Sequence, residues 1–311
     1  MHVHASHGRD AGLDRRLRLS LWVTAAFIVV EFGAGIRANS LALLSDAGHN
    51  FADALALALA LFAHRIAGLP PSASKTFGYR RAGVLAAFVN ALALVGLSLF
   101  IFWESYERFL DPRPVDDMTM LVVAGAGLVV NLVVMKALHA DSHNDLNVRG
   151  AYMHMLGDAL SSVGIIVGAL AIRQTQALWI DPLLSVLIGA LIIWSAWDII
   201  RESLDILLEG APRGIKRGEI LKAICDVDGV IDIHDLHIWS LASDAHALSC
   251  HALIDDMPPS ESCSILDRIQ EVLEERFAVC HATVQFEHVP CPGANEICSE
   301  TVGSEAGSDR S

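Results

Sequence analysis

The sequence predicts a membrane all-α bundle of six helices followed by a small α+β cytoplasmic domain of order αββαβ. Six apolar stretches, each near the length that crosses a hydrocarbon core, occupy the chain up to about residue 206. Beyond residue 207 the pattern changes to short alternations of helical and strand periodicity. The chain of 311 residues is also 53% hydrophobic, with mean hydropathy +0.45, too apolar for an ordinary soluble globule.

In order, residues 1–18 form a tail with His2, His4 and His7, read equally as a transient metal holder or a plain terminus. The membrane domain covers 19–206. Its first span, 19–36, carries Glu31, and Arg37-Ala38-Asn39-Ser40 is too short a turn for anything but an antiparallel pair with the second span, 41–63. Gly68-Leu69-Pro70-Pro71-Ser72 breaks the helix before the third span, 82–103. The fourth covers 118–138, a polar stretch 139–149 leads to the fifth, 151–172, and the sixth, 179–200, opens with Pro182 in its first turn.

Six spans put both termini on one side. Arg15, Arg16, Arg18, Arg65, Lys75, Arg80 and Arg81 fall on that side, whereas Glu104, Glu107, Asp111, Asp116 and Asp117 dominate the 104–117 loop. Basic loops stay inside, so both termini are expected in the cytoplasm and the protein in the inner membrane. All six cysteines, Cys225, Cys250, Cys263, Cys280, Cys291 and Cys298, lie on that expected inner face without disulfide-framework spacing and read as reduced thiols. No cleavable signal peptide is expected. A formal charge of −14 and a pI near 5.3 argue against a nucleic-acid partner, which calls for a clustered basic face.

The soluble domain, 207–290, reads as a helix at 214–226, strands at 230–240 and 245–255, an amphipathic helix with Ile265, Ile269, Leu273 and Phe277 on one stripe, and a last strand at 283–287. That order predicts an open sheet with helices on one face. The Gly-, Ser- and Glu-rich segment 291–311 reads as a disordered tail.

Chemistry concentrates in two stretches. His49-Asn50-Phe51-Ala52-Asp53 lies in the second span and His154-Met155-Leu156-Gly157-Asp158 in the fifth. Each places an imidazole and a carboxylate four residues apart, on one helix face. Ionisable groups inside membrane helices are costly unless paired, metal-bound or water-lined. Two His and two Asp from two helices complete a tetrahedral set for a zinc-like ion. Such a set suits Zn2+, tolerates Co2+ and Cd2+, and offers too little oxygen for Mg2+ or Ca2+. Asp46, Glu31 and Asn131 read either as lining a water path or as helix-packing groups.

With these motifs in view, the chain from about 18 to 290 resembles the cation diffusion facilitator family, in its zinc-transporting branch. The resemblance rests on residues 39–53, with Asn39-Ser40-Leu41-Ala42-Leu43-Leu44-Ser45-Asp46 leading into His49 and Asp53; on 146–158, with Asn147, Arg149 and Tyr152 leading into His154 and Asp158; and on His234-Asp235-Leu236-His237-Ile238-Trp239. It implies a homodimeric, proton-coupled exporter of divalent metal whose cytoplasmic domain has a metallochaperone-like, ferredoxin-like fold. It places His49, Asp53, His154 and Asp158 on the transport site. It places His234, His251 and Glu287 on positions that bind metal in relatives, with zinc there as a regulator and Cys263 near another such position. Cys250, His237 and His246 stand as alternative ligands.

One loop departs from the family pattern: in Lys75-Thr76-Phe77-Gly78-Tyr79-Arg80-Arg81-Ala82-Gly83, Arg80 and Gly83 stand where the zinc branch has His and Glu, so no loop metal site is expected. Arg81 is expected at the dimer interface or among lipid headgroups. The rival from another class is a membrane-embedded zinc-dependent hydrolase, which needs an open coordination position and a separate general base. A metal sensor merely anchored by the bundle leaves the buried charges of the bundle unexplained.

Overall fold

The computed structural model describes residues 25–139, 146–242 and 245–289. The tail histidines, Cys291, Cys298 and the segment 291–311 lie outside the described residues. The described residues fall into two compact units: those from 25 to 61 with those from 89 to 200, and those from 62 to 88 with those from 201 to 289.

The first unit is helical. Residues 25–38 form α1, followed by α2 (Leu41–Ala67), α3 (Ala82–Leu110), α4 (Asp117–Leu138), α5 (Leu146–Thr175) and α6 (Ile180–Leu207); the last residues of α2 and α6 and the first of α3 belong to the second unit. Five of these, α2 to α6, are long and apolar enough to cross a membrane. The first predicted span begins outside the described residues. Val29, Phe32, Leu61, Val122 and Trp194 are exposed on these helices, the apolar surface that a bilayer covers.

Local chemistry explains where helices stop and start. Asn39, in the left-handed conformation at φ 51°, ends α1, and the Ser40 hydroxyl accepts the Leu43 N–H at 3.2 Å to cap α2. Helix α3 runs past its predicted end at residue 103, because Arg108 Nε donates to Glu104 Oε1 at 3.0 Å, one turn back, and the arginine is buried rather than looped out. The acidic loop is therefore shorter than predicted. Asp116 caps α4, accepting Met118 N and Thr119 N at 3.1 Å each and Thr119 Oγ1 at 2.6 Å. These bonds, led by the threonine hydroxyl, hold the Asp116 carboxyl below the usual carboxylate range. A Cβ on Gly168 of α5 would overlap Leu184 of α6, so glycine there permits close helix contact.

The second unit contains the α+β domain: α7 (Arg217–Cys225), β1 (Val230–Ala242), β2 (Ala245–Ile254), α8 (Pro259–Phe277) and β3 (Val279–Glu287). The sheet order is β1-β2-β3, with β1 antiparallel and β3 parallel to β2. Ile220 and Ile224 of α7 and Ile265, Ile269 and Leu273 of α8 pack with Ile233, Leu248 and Ala252 of the sheet in one core, which realises the predicted αββαβ layer. Ala278, left-handed at φ 52°, donates its N–H to Glu274 O and turns the chain from α8 into β3.

Candidate metal sites

Helical spacing brings His49 and Asp53 of α2, and His154 and Asp158 of α5, to one side of each helix, and the two sides face each other. The four groups close into a ring in which imidazole and carboxylate alternate. His49 Nδ1 lies 3.4 Å from Asp53 Oδ2, which lies 3.6 Å from His154 Nε2; His154 Nε2 is 3.6 Å from Asp158 Oδ2, and His49 Nε2 is 4.0 Å from Asp158 Oδ1. These separations are long for hydrogen bonds. His49 turns Nδ1 to Asp53 and Nε2 to Asp158, and Asp158 turns a different oxygen to each histidine, so the four groups adjoin one another without presenting one atom each at the spacing of a metal's ligands; among the described residues only His234, His251 and Glu287 do that. His49 Nδ1 and Asp53 Oδ2 are buried without a hydrogen-bond partner, as atoms aimed at an ion would be. The ring is open on one side, with the His154 side chain 42% exposed and that of Asp158 only 7%.

Two buried acids sit beside the ring. Glu31 of α1 accepts Asn50 Nδ2 at 3.2 Å, and Asp46 of α2 accepts Ser161 Oγ at 2.6 Å. Each is held by a partner from another helix. Sequence spacing does not disclose Asn50 and Ser161; a carboxylate in an apolar span announces only that some partner exists.

The sheet builds the second cluster. His234 on β1 and His251 on β2 are cross-strand neighbours, their rings 5.2 Å apart. Glu287 on β3 pairs with Leu253 and so lies diagonal to His251. His251 Nδ1 is 2.8 Å from Glu287 Oε1, and His234 Nε2 is 3.3 Å from Glu287 Oε2. One ligand atom from each residue falls within 4.8 Å of the other two. His234 Nε2 and Glu287 Oε2 are buried and lack hydrogen-bond partners, so the donor set and its orphaned atoms both fit a zinc-like ion. On the far side of His251, its Nε2 lies 3.8 Å from Asp235 Oδ2, and Asp235 Oδ1 is 3.0 Å from His237 Nε2. Asp235 sits in a register irregularity between His234 and His237, at φ 51°.

The alternative ligands do not enter this cluster. Cys250 faces the domain core, where burial pushes its thiol up to about 12. Nδ1 of His246 meets Ser240 Oγ at 3.3 Å, His237 is engaged by Asp235, and Cys263 is exposed on α8. In the second unit, Arg81 lies 3.4 Å from Glu209, an exposed pair.

Two apposed His/Asp pairs in an apolar helical domain, in one chain with a small α+β domain that carries a His/His/Glu cluster, point to a class of membrane transporter. Residues 17–208 match the model of the cation efflux transmembrane domain, and residues 212–289 that of the cytoplasmic domain of cation efflux proteins. The chain belongs to the cation efflux, or cation diffusion facilitator, family. It is 40% identical over 308 residues to the zinc transporter ZitB of Escherichia coli, covering 98% of this chain and 97% of that one. It is 39% identical over 290 residues to the metal cation efflux system protein CzcD of Cupriavidus metallidurans, covering 93% and 92%. With the cadmium, cobalt and zinc/H(+)-K(+) antiporter of Bacillus subtilis it shares 41% identity over 285 residues, covering 90% and 91%.

Proposed function

We propose that this chain is a homodimeric antiporter of the inner membrane, with both termini in the cytoplasm, that exports Zn2+, and also Cd2+ and Co2+, in exchange for protons. The observation that carries this reading is the apposition of His49, Asp53, His154 and Asp158, imidazole and carboxylate alternating at 3.4–4.0 Å, between two apolar helices. The names of the relatives, zinc transporters and a metal/proton antiporter, support the substrate class.

In this reading the metal is cargo. Two carboxylates offset the desolvation of a divalent ion and two imidazoles favour zinc over harder cations. A metal ligand must be unprotonated, so metal and protons compete for the same four groups, which is the basis of exchange. Imidazole titrates near cellular pH and is suited to carry the proton. The helices then present a fixed site to the two sides in turn. A hydrolase needs a metal ligand position left free for water, and the ring commits all four groups to the ion. In the cytoplasmic domain, His234, His251 and Glu287 hold a second zinc that regulates or braces the dimer.

Proteoliposomes loaded with acidic buffer test the cycle. Zinc added outside should enter while the internal pH rises, and a protonophore should slow it. Zinc entry without proton movement would exclude antiport.

A further inference from the structure

The turn between α1 and α2 is gripped by two charged side chains that the metal chemistry does not use. Asp181, fully buried near the start of α6, accepts Ser40 Oγ at 2.6 Å, Leu41 N at 2.8 Å and Ala42 N at 3.2 Å. Its carboxylate thus satisfies free N–H groups at the N-terminus of α2, where the helix dipole favours an anion. Arg108, near the end of α3, does the converse at the C-terminal end of α1. Its Nη1 donates to Asn39 O at 2.6 Å and its Nη2 to Asn39 Oδ1 at 3.3 Å. Arg108 Nη1 also lies 3.7 Å from Asp181 Oδ2, and its Nε donates to Glu104, so both buried charges are partnered. Two helices distant in sequence therefore hold the two sides of the α1–α2 turn, each with the charge that the adjoining dipole end prefers.

Packing along α2 follows this grip. From Ser40 to Ala47 every side chain except Leu44 is buried, whereas from Gly48 to Ala67, among the described side chains, only Ala52 and Ala63 are. The helix is enclosed by its neighbours at the gripped end and largely uncovered by this chain from the His49 turn onward.

We propose that Asp181 and Arg108 form a clamp that closes this end of α2 against α3 and α6, and that transport requires the clamp to release so that metal leaves past the α1–α2 turn. They are positioning residues: neither touches the ring. The proposal rests on the ring being the transport site. Release is chemically feasible because water entering the opened turn solvates both charges and the freed N–H groups.

The test uses the full-length protein in vesicles with Ser45→Cys, a near-isosteric change at a buried position just inside the clamp. An impermeant thiol reagent is applied to the face that carries the α1–α2 turn, and labelling of residue 45 is read from its peptide. With Asp181 intact, labelling is slow. In Asp181→Asn it should rise about tenfold, and zinc Vmax should fall about tenfold with KM within about twofold, since one charged hydrogen-bonding group is lost at a distance from the ligands. Arg108→Lys keeps the charge with fewer donors and should give intermediate labelling; it also decides the matter if Asp181→Asn does not fold. Unchanged labelling in the folded variants, or a raised KM at unchanged Vmax, overturns the clamp. Asp158→Ala separates the two claims. It should stop flux while leaving residue 45 protected; persistent flux in it refutes the ring instead, and labelling alone then judges the clamp.

Discussion

In the bundle, two imidazoles and two carboxylates come from two helices that share no backbone hydrogen bonds, and they meet in a ring with edges of 3.4–4.0 Å that is open at His154. In the soluble domain, two imidazoles and one carboxylate come from three strands of one hydrogen-bonded sheet, with His234 buried, His251 and Glu287 half-buried, and contacts of 2.8–3.3 Å to Glu287. A sheet fixes neighbouring side chains at about 5 Å and cannot separate them without losing its ladder. Helices packed through side chains can slide or tilt by 1–2 Å at modest cost. On the proposed reading, the same ligand chemistry therefore suits release on one scaffold and retention on the other.

The contrast can be broken most severely by Asp158→Ala. Removing one of two carboxylates leaves the ion and the imidazoles undercompensated in a dry site, so zinc uptake into proteoliposomes should fall by at least about a hundredfold. The dimer and the zinc bound at His234, His251 and Glu287 should survive, as size-exclusion chromatography and equilibrium dialysis would register. Loss of both pools together would mean that the two sites are not separate.

His49→Asp probes selection rather than capacity. A third carboxylate hardens the ring, and the preference for Zn2+ over Cd2+ and Mn2+ should shrink about tenfold, one step of about 1.4 kcal/mol. Competition uptake assays read the ratio; an unchanged ratio moves selectivity away from the ring.

His251→Ala addresses the retaining site. Zinc at about a hundred times its Kd should stabilise the folded cytoplasmic domain by about 2.7 kcal/mol, seen as a higher melting temperature of the purified full-length protein, and the variant should lose that rise. A wild-type protein whose melting ignores zinc would reduce the sheet cluster to a packing motif.

The smallest effect lies at neither site. Asp116→Ala removes the cap of α4 and should cost about 1 kcal/mol at neutral pH. Because folding lowers the pKa of this carboxyl, its contribution is present above the ordinary value of about 3.9 and fades as pH falls through the depressed one. The melting gap between variant and wild type should therefore close in acid; a gap that persists there would place the effect outside the cap.

Helix spacing alone made the ring residues legible, since an i,i+4 pair in an apolar span points one way whatever surrounds it. The helical bundle and the αββαβ order were readable for the same local reason. The sheet trio was not readable from spacing: His234 meets His251 through a register that shifts at Asp235, and Glu287 reaches them because β3 runs parallel to β2. Those are decisions of tertiary pairing, and the family resemblance supplied them. The clamp was hidden differently. Asp181 looked like the ordinary opening of a span and Arg108 fell in a predicted loop, so nothing local tied either to residues 39–42.

Because Asp181 fixes where α2 begins, the stretch from Ser40 to His49 serves as a ruler. Each helical residue adds about 100° of rotation and 1.5 Å of rise. One residue inserted between Ala42 and Gly48 would swing His49 and Asp53 to another face of the helix. An insertion of four would return them to within about 40° but leave them about 6 Å along the axis, a full turn out of step with His154 and Asp158. This part of the chain should therefore accept exchange of residue type far more readily than change of length, whereas an insertion in segment 68–81, which spaces no ligand along a helix, should be tolerated.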